Sequence, residues 1–108
     1  MTRFIFILCA IASAAFGDTK PLRLDFGVYQ SDRATVMYRK FTPILEAIQY
    51  PIEQLIQQPV DIHLTIFEDY ESGIKALAKG EVDFVRFGPA SYILAEQQNP
   101  KIQLLAME

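Results

Sequence analysis

The sequence predicts an α/β domain: an open, mostly parallel sheet with helices on both faces, in the order βαβαβαβ. Three observations support this prediction. Segments with alternating apolar and polar residues are separated by segments whose apolar residues recur every three to four positions. Glycine, proline or aspartate stands at most of the junctions. Strands separated by helices pair in parallel through right-handed crossovers, which gives this class of sheet.

The first strand is predicted at residues 22–29, where apolar and polar side chains alternate. The turn-rich loop QSDRAT follows, and apolar residues then recur at helical spacing over residues 36–57. Thr42 followed by Pro43 is typical of a helix cap and first helical residue, so a separate initial turn is expected before the main helix. Pro51 predicts a kink or a break in that helix.

The second strand is predicted at residues 60–67, again from strict alternation. Asp69 is the type of residue that caps a helix, and a short helix is expected after it as far as Ala78. Gly80 is expected to terminate this helix.

The third strand is predicted at residues 82–87, and a third helix at 89–98. Asn99 and Pro100 stop that helix, because proline cannot continue it. Residues 102–107 are predicted to form a fourth strand.

The first seventeen residues, MTRFIFILCAIASAAFG, have the build of a secretory signal peptide. Arg3 precedes an apolar run, and small residues follow it. The run is shorter than the about 20 residues that span a bilayer, so export of residues 18–108 is expected. Cys9, the single cysteine, lies in the segment to be removed, so no internal disulfide is expected in the exported chain.

Composition and charge restrict the function classes. Without the signal peptide the chain carries nine basic and thirteen acidic residues, a net charge of −4, which gives no reason to expect nucleic acid as a partner. His63 is the single histidine, and no metal-ligand spacing or phosphate-binding glycine loop is present in the sequence. No enzyme activity, metal or cofactor is therefore expected.

Ligands of open α/β sheets bind beyond the carboxyl ends of the strands, where the strand order reverses. With the expected order 2-1-3-4, the reversal falls between the first and third strands. Two loops then meet there, residues 29–31 and residues 87–91.

The second of these loops, FGPAS, has the features of an anion-binding turn. Gly88 allows a close approach of the backbone, and Pro89 fixes the first helical turn. The amides of Ala90, Ser91 and Tyr92 are expected to lack helical partners, and the Ser91 hydroxyl adds a donor. The alternative is that Gly88 and Pro89 form only a well-built strand-to-helix turn, and the pattern leaves both open.

Two further side chains are candidates for the same rim. Arg86 could clamp an oxyanion with its planar guanidinium, or could equally pair with Asp83 or Asp69. Tyr70, at the start of the second helix, could contact a ligand or simply pack.

Two stretches resemble a known family. They are FGVYQSDRATVMYRKFTPILEAI and FEDYESGIKALAKGEVDFVRFGPASYILAEQQNP, and the closing IQLLAME continues the likeness. The sequence resembles the opening of periplasmic substrate-binding proteins of phosphate, phosphite and phosphonate ABC transporters. The resemblance covers nearly all of residues 18–108.

This resemblance implies a two-lobed protein that closes on a small phosphorus oxyanion and delivers it to an ABC permease in the inner membrane. It implies a periplasmic or other extracytoplasmic location. It would place Tyr70, Phe87 and the Gly88–Ser91 turn on the cleft wall, with Tyr29 and Ser31 from the first loop.

Residues 18–108 are expected to be the amino-terminal part of the first lobe, with the second lobe absent. An alternative is an extracytoplasmic sensory input domain with the same binding fold. A third is a fragment of a secreted α/β hydrolase, whose nucleophile, base and acid would lie downstream.

Overall fold

The computed structural model describes residues 20–107, and the predicted signal peptide at 1–17 lies outside the described residues. The described residues form three strands and three helices in the order βαβαβα. All strand pairs are parallel, in a single open sheet of order β2-β1-β3. The predicted class, an α/β domain with an open parallel sheet, is confirmed.

The first two strands have the predicted bounds. β1 is Leu22–Tyr29 and β2 is Val60–Phe67, and they pair along their whole length, from Leu22 with Val60 to Tyr29 with Phe67. The third strand, β3, is Phe84–Arg86, which is shorter than the predicted 82–87.

Asp83 explains the late start of β3. Its amide donates to the Asp25 carbonyl at 2.9 Å, as in a ladder, but its carboxylate accepts the Asp25 amide at 2.7 Å. A side-chain oxygen thus replaces a main-chain carbonyl, so the regular ladder begins one residue later.

The first helix, α1, runs unbroken over Ala34–Ile56 and contains Pro43 and Pro51. The predictions of a cap at Thr42 and of a break at Pro51 are therefore wrong. Both prolines lie on the exposed side of the helix. The residues four positions earlier, Arg39 and Ala47, are exposed as well, so water can hydrate the carbonyls that proline leaves without a helical donor.

Packing against the sheet holds α1 together across its prolines. One stripe of the helix, which includes Met37 and Leu45, is buried against Phe26 and Val28 of β1. Met37 is 1% exposed. Burial of such a stripe stabilises a helix more than local propensity does, so one missing hydrogen bond does not decide where the helix ends.

The second helix, α2, is Tyr70–Ala78, as predicted. The Asp69 carboxylate accepts the Ser72 amide at 2.7 Å, which is the expected N-cap. Gly80 follows the helix with a φ of 75°, a left-handed conformation that favours glycine.

The Asp69 cap predicts a specific dependence of stability on pH. The Ser72 amide, and then the Ser72 hydroxyl, hold the pKa of Asp69 below its ordinary value. A depressed pKa in the folded state stabilises the fold above the ordinary aspartate pKa, and this contribution is lost as pH falls through the folded-state value. Asp69→Asn keeps a capping oxygen but removes the charge. The stability gap between wild type and Asp69→Asn should therefore be largest near neutral pH and shrink in acid.

Urea unfolding at a series of pH values measures this gap. Glu81→Gln is the control, because it removes an exposed carboxylate that caps no helix. A gap for Asp69→Asn that stays constant from neutral to acid pH would contradict the charged cap.

The third helix, α3, is Pro89–Gln98, close to the prediction, and Asn99 ends it. The Asn99 side-chain amide donates to the Ala78 carbonyl at 3.0 Å and ties the ends of α2 and α3 together. The predicted fourth strand at 102–107 is not formed in the described part of the chain. An extended segment becomes a strand only when it joins a ladder, and β3 pairs with β1 alone among the described strands.

Apolar residues cover both faces of the sheet. α1 packs over Phe26 and Val28 on one face. On the opposite face Phe67 forms a second cluster with residues of α2 and the segment before β3. Gly27 lies between the clusters, where an added Cβ would lie 2.5 Å from Phe67 Cε2.

Candidate functional site

The strand order reverses between β1 and β3. β1 leads through α1 to β2 on one side, and β3 lies on the other side of β1. The carboxyl ends of β1 and β3 are therefore adjacent, and the loops after them, residues 30–33 and 87–88, leave from the same edge. Ligands bind at such an edge in open α/β sheets.

The three helices differ in how their first turns are capped. The first turn of α2 is capped by the negatively charged Asp69 side chain. α1, after Arg33, and α3, after Gly88, have no side-chain cap hydrogen bond. The two helices without such a cap are the ones that follow β1 and β3, on either side of the reversal. An external anion is favoured at a helix start whose amides are not already capped.

The first turn of α3 is partly open. Gly88, Pro89 and Ala90 are exposed, whereas Ser91 is buried. The Tyr92 amide donates to the Gly88 carbonyl at 3.1 Å. The expectation that this amide lacks a helical partner is therefore wrong, because the α-helical bonding begins at residue 92.

Open space lies beside Gly88. Its φ of −76° is accessible to any residue, so its backbone does not require glycine. An added Cβ would have no atom of the described residues within 4 Å, so nothing among them covers this side of Gly88.

Four of the predicted side chains come together around Tyr29. The Tyr29 ring stacks on Phe87, with centroids 4.7 Å apart and planes at 3°. It meets the edge of Tyr70 at 4.6 Å and 88°. The Tyr29 hydroxyl donates to the Tyr70 carbonyl at 3.3 Å. The Ser91 side chain lies close enough to this hydroxyl to affect its pKa.

This arrangement keeps the Tyr29 phenol protonated. Burial is the main cause that raises the pKa of Tyr29, and Tyr70 and the Asp69 carboxylate raise it further. The hydrogen bond with Ser91 acts in the opposite direction, because a donor to the phenol oxygen favours the ionised form. The phenol therefore remains a neutral hydrogen-bonding group at neutral pH.

A cavity of about 290 Å³ opens beside this cluster, lined by Tyr29, Gln30, Glu68, Asp69 and Tyr70. It lies at the carboxyl ends of β1 and β2. A second cavity of about 340 Å³ lies between α1 and β2, away from this edge, and His63 is among its lining residues. His63 forms an exposed pair with Asp61 at 2.8 Å, in agreement with a surface position.

The sequence was compared with models of known protein families. The model described as the periplasmic substrate-binding protein of phosphonate ABC transporters matches residues 26–108. The chain belongs to this family. The match begins in β1 and covers the described chain through α3, so it includes both loops at the reversal.

Membership of the phosphonate-binding family gives the chain its general role. It is a substrate-binding component of an ABC transporter, which works in the periplasm with a small-molecule ligand and a membrane permease. Such components bind and release their ligand, and they are not typically enzymes.

Ser31 and Arg86 lie at the same edge of this phosphonate-binding domain but outside the Tyr29 cluster. The Ser31 hydroxyl is 3.6 Å from the Met37 sulfur and so is tied to the start of α1. Arg86 pairs in register with Val28, and Phe84 packs on the α1 side of the sheet. Because alternate residues of a strand share a face, Arg86 leaves β3 on the α1 side, opposite to the Tyr29 cluster.

Two residues at this edge were not among the predicted candidates. Glu68 lines the 290 Å³ cavity beside Gln30 of the predicted 29–31 loop, and Gly73 lies beneath the Tyr29 ring. Glu68 directly follows a predicted strand, which was the available signal. Gly73 had no such signal, because its position depends on which ring the fold brings against it.

No group of three or more His, Cys, Asp or Glu side chains suited to a metal ion occurs within residues 20–107. None of the helices in that range is long and apolar enough to cross a membrane.

Proposed function

We propose that this chain forms one wall of a binding site for a small phosphorus oxyanion, either a phosphonate, phosphate or phosphite. The chain is exported by an amino-terminal signal peptide at 1–17, and residues 18–108 belong to the first lobe of the binding protein. A second lobe supplies the other wall, and closure of the two lobes precedes delivery to the permease.

The observation that carries the proposal is the exposed, side-chain-uncapped start of α3 at the reversal of strand order. The anion lies against Gly88, Pro89 and Ala90, where the positive end of the helix dipole and the first-turn amides face it. Phe87 and Ser91 flank this turn and are fixed by Tyr29.

The remaining predicted residues act at the margins of the same site. Tyr70 and Tyr29 form an aromatic side wall. Ser31 contributes from the start of α1, the second helix without a side-chain cap hydrogen bond. Arg86 reaches the anion from the α1 side of the sheet and adds charge.

One wall gives weak binding. A helix start contributes about 0.3–2 kcal/mol toward an anion, and each charge-assisted hydrogen bond about 1.5–3 kcal/mol. Loss of translational and rotational freedom offsets much of this gain. Binding by this wall is therefore expected to be weak, with a dissociation constant of about 1 mM or higher.

Ala90→Glu tests the position of the anion. A carboxylate in the first turn of α3 interacts favourably with the helix dipole, so the melting temperature should stay the same or rise slightly. The same carboxylate repels an incoming anion by about 1–3 kcal/mol, which lowers affinity about tenfold or more. Methylphosphonate titration of the purified chain, followed by amide nitrogen and proton NMR shifts, measures the binding.

Gln97→Glu is the matched control. It adds the same charge at an exposed position near the carboxyl end of α3, where it should weaken the helix slightly and leave methylphosphonate shifts unchanged. The proposal is wrong if the wild-type amides of Gly88, Ala90 and Ser91 do not shift. It is equally wrong if the two variants lose binding alike.

Parallel titrations with phosphate and phosphite rank the three ligand classes, and acetate tests whether any carboxylate suffices. No feature of residues 20–107 separately favours the sensory alternative.

A further inference from the structure

Gly73 occupies a position in α2 where a side chain has no room. An added Cβ would lie 2.6 Å from Tyr29 Cε1 and 3.1 Å from Phe67 Cδ2. Gly73 is buried in the first half of the helix and its φ is not positive, so its backbone does not require glycine. Glycine also lowers helix stability relative to alanine. Glycine is therefore required here because the Tyr29 ring fills the space that a side chain would occupy.

The ring that fills this space contacts the α3 turn at both ends. Tyr29 stacks on Phe87, the residue before Gly88. Its hydroxyl also lies near the side chain of Ser91, the residue after Ala90. Tyr29 is therefore next to the residues on both sides of the three exposed residues at the start of α3, and the stacked contact with Phe87 depends on the position of its ring.

We infer that Gly73 is a positioning residue for the oxyanion site: by lacking a Cβ, it lets Tyr29 lie against α2 and hold the α3 turn from both ends. This inference rests on the proposed function only for its effect on affinity. The position of the Tyr29 ring is a separate matter, and it can be measured without any ligand.

Gly73→Ala in the full chain tests the inference. With all five tyrosines replaced by 3-fluorotyrosine, the Tyr29 fluorine signal is identified by its loss in Tyr29→Phe. In Gly73→Ala this signal should move, because the ring leaves the stacked position on Phe87. Methylphosphonate affinity, measured by amide shifts, should fall about two- to tenfold, which corresponds to one weakened hydrogen bond.

Ala76→Gly is the matched control. It changes a buried residue of the same helix, 4% exposed, and weakens α2 without placing an atom near Tyr29. Its Tyr29 signal and its methylphosphonate affinity should remain those of wild type. If Ala76→Gly lowers affinity as much as Gly73→Ala, loss of helix stability is the cause and the inference is wrong.

A double variant covers the case in which Gly73→Ala does not fold. Tyr29→Leu removes the ring that the new methyl group would strike, so Gly73→Ala with Tyr29→Leu should fold and melt close to Tyr29→Leu alone. A double variant that also fails to fold would assign the clash to Phe67 and overturn the inference.

The two proposals fail in different ways. If wild type does not bind methylphosphonate but Gly73→Ala moves the Tyr29 signal, the proposed function is wrong and the positioning of Tyr29 stands. If wild type binds and Gly73→Ala changes neither signal nor affinity, the inference about Gly73 is wrong.

Discussion

Replacing Met37 with alanine is expected to lower the free energy of unfolding by about 2–5 kcal/mol, the range for large-to-small changes in a packed core. Met37 is 1% exposed and lies in the cluster of Phe26, Val28 and Leu45 under α1. Its side chain secures the start of α1 on the sheet. Urea unfolding followed by circular dichroism measures the loss.

Tyr50→Ala is the control for this prediction. Tyr50 is in the same helix but 67% exposed, so its removal should change the free energy of unfolding by about 0.5 kcal/mol or less. Similar losses for the two variants would mean that the first turn of α1 is not anchored by Met37. Because the Ser31 hydroxyl contacts the Met37 sulfur, Met37→Ala also frees Ser31 from its contact.

Replacing Tyr29 with alanine is expected to reduce both stability and ligand binding. Two aromatic pairs are lost, each worth about 0.5–1.5 kcal/mol, so the free energy of unfolding should fall by about 1–3 kcal/mol before the lost apolar area is counted. The α3 turn loses its contacts with Tyr29, so methylphosphonate should no longer shift the amides of Gly88, Ala90 and Ser91.

Tyr29→Phe separates the ring from the hydroxyl. It keeps both ring contacts and removes the hydrogen bond to the Tyr70 carbonyl. Stability should fall less than in Tyr29→Ala, and binding should weaken without being abolished. Unchanged methylphosphonate shifts in Tyr29→Ala would remove Tyr29 from the binding wall.

Local patterns predicted most of the fold. The bounds of β1 and β2 followed from the alternation of apolar and polar residues along each segment. The Asp69 cap and the Gly80 stop were also local signals. α1 departed from prediction because local rules count the hydrogen bond that proline loses, whereas burial of the stripe around Met37 decides the outcome.

The sequence predicted where the candidate loops lie, whereas the site itself stays a prediction. The reversal of strand order beside β1 was expected and is present, and it places the loops after β1 and β3 at one edge. The role proposed for Gly73 depends on where the Tyr29 ring lies, and sequence spacing carries no information on that contact. The partner of the Tyr92 amide depends on where the helical bonding of α3 begins.

The raised pKa of Tyr29 has a chemical consequence for the candidate site beside the start of α3. A phenol that keeps its proton through neutral and mildly alkaline solution never presents a negative oxygen to an approaching oxyanion. The Tyr29 hydroxyl is therefore an uncharged group toward both the singly and the doubly ionised form of a phosphorus acid. Any discrimination between those two forms must come from the ligand's own protonation or from groups other than this tyrosine.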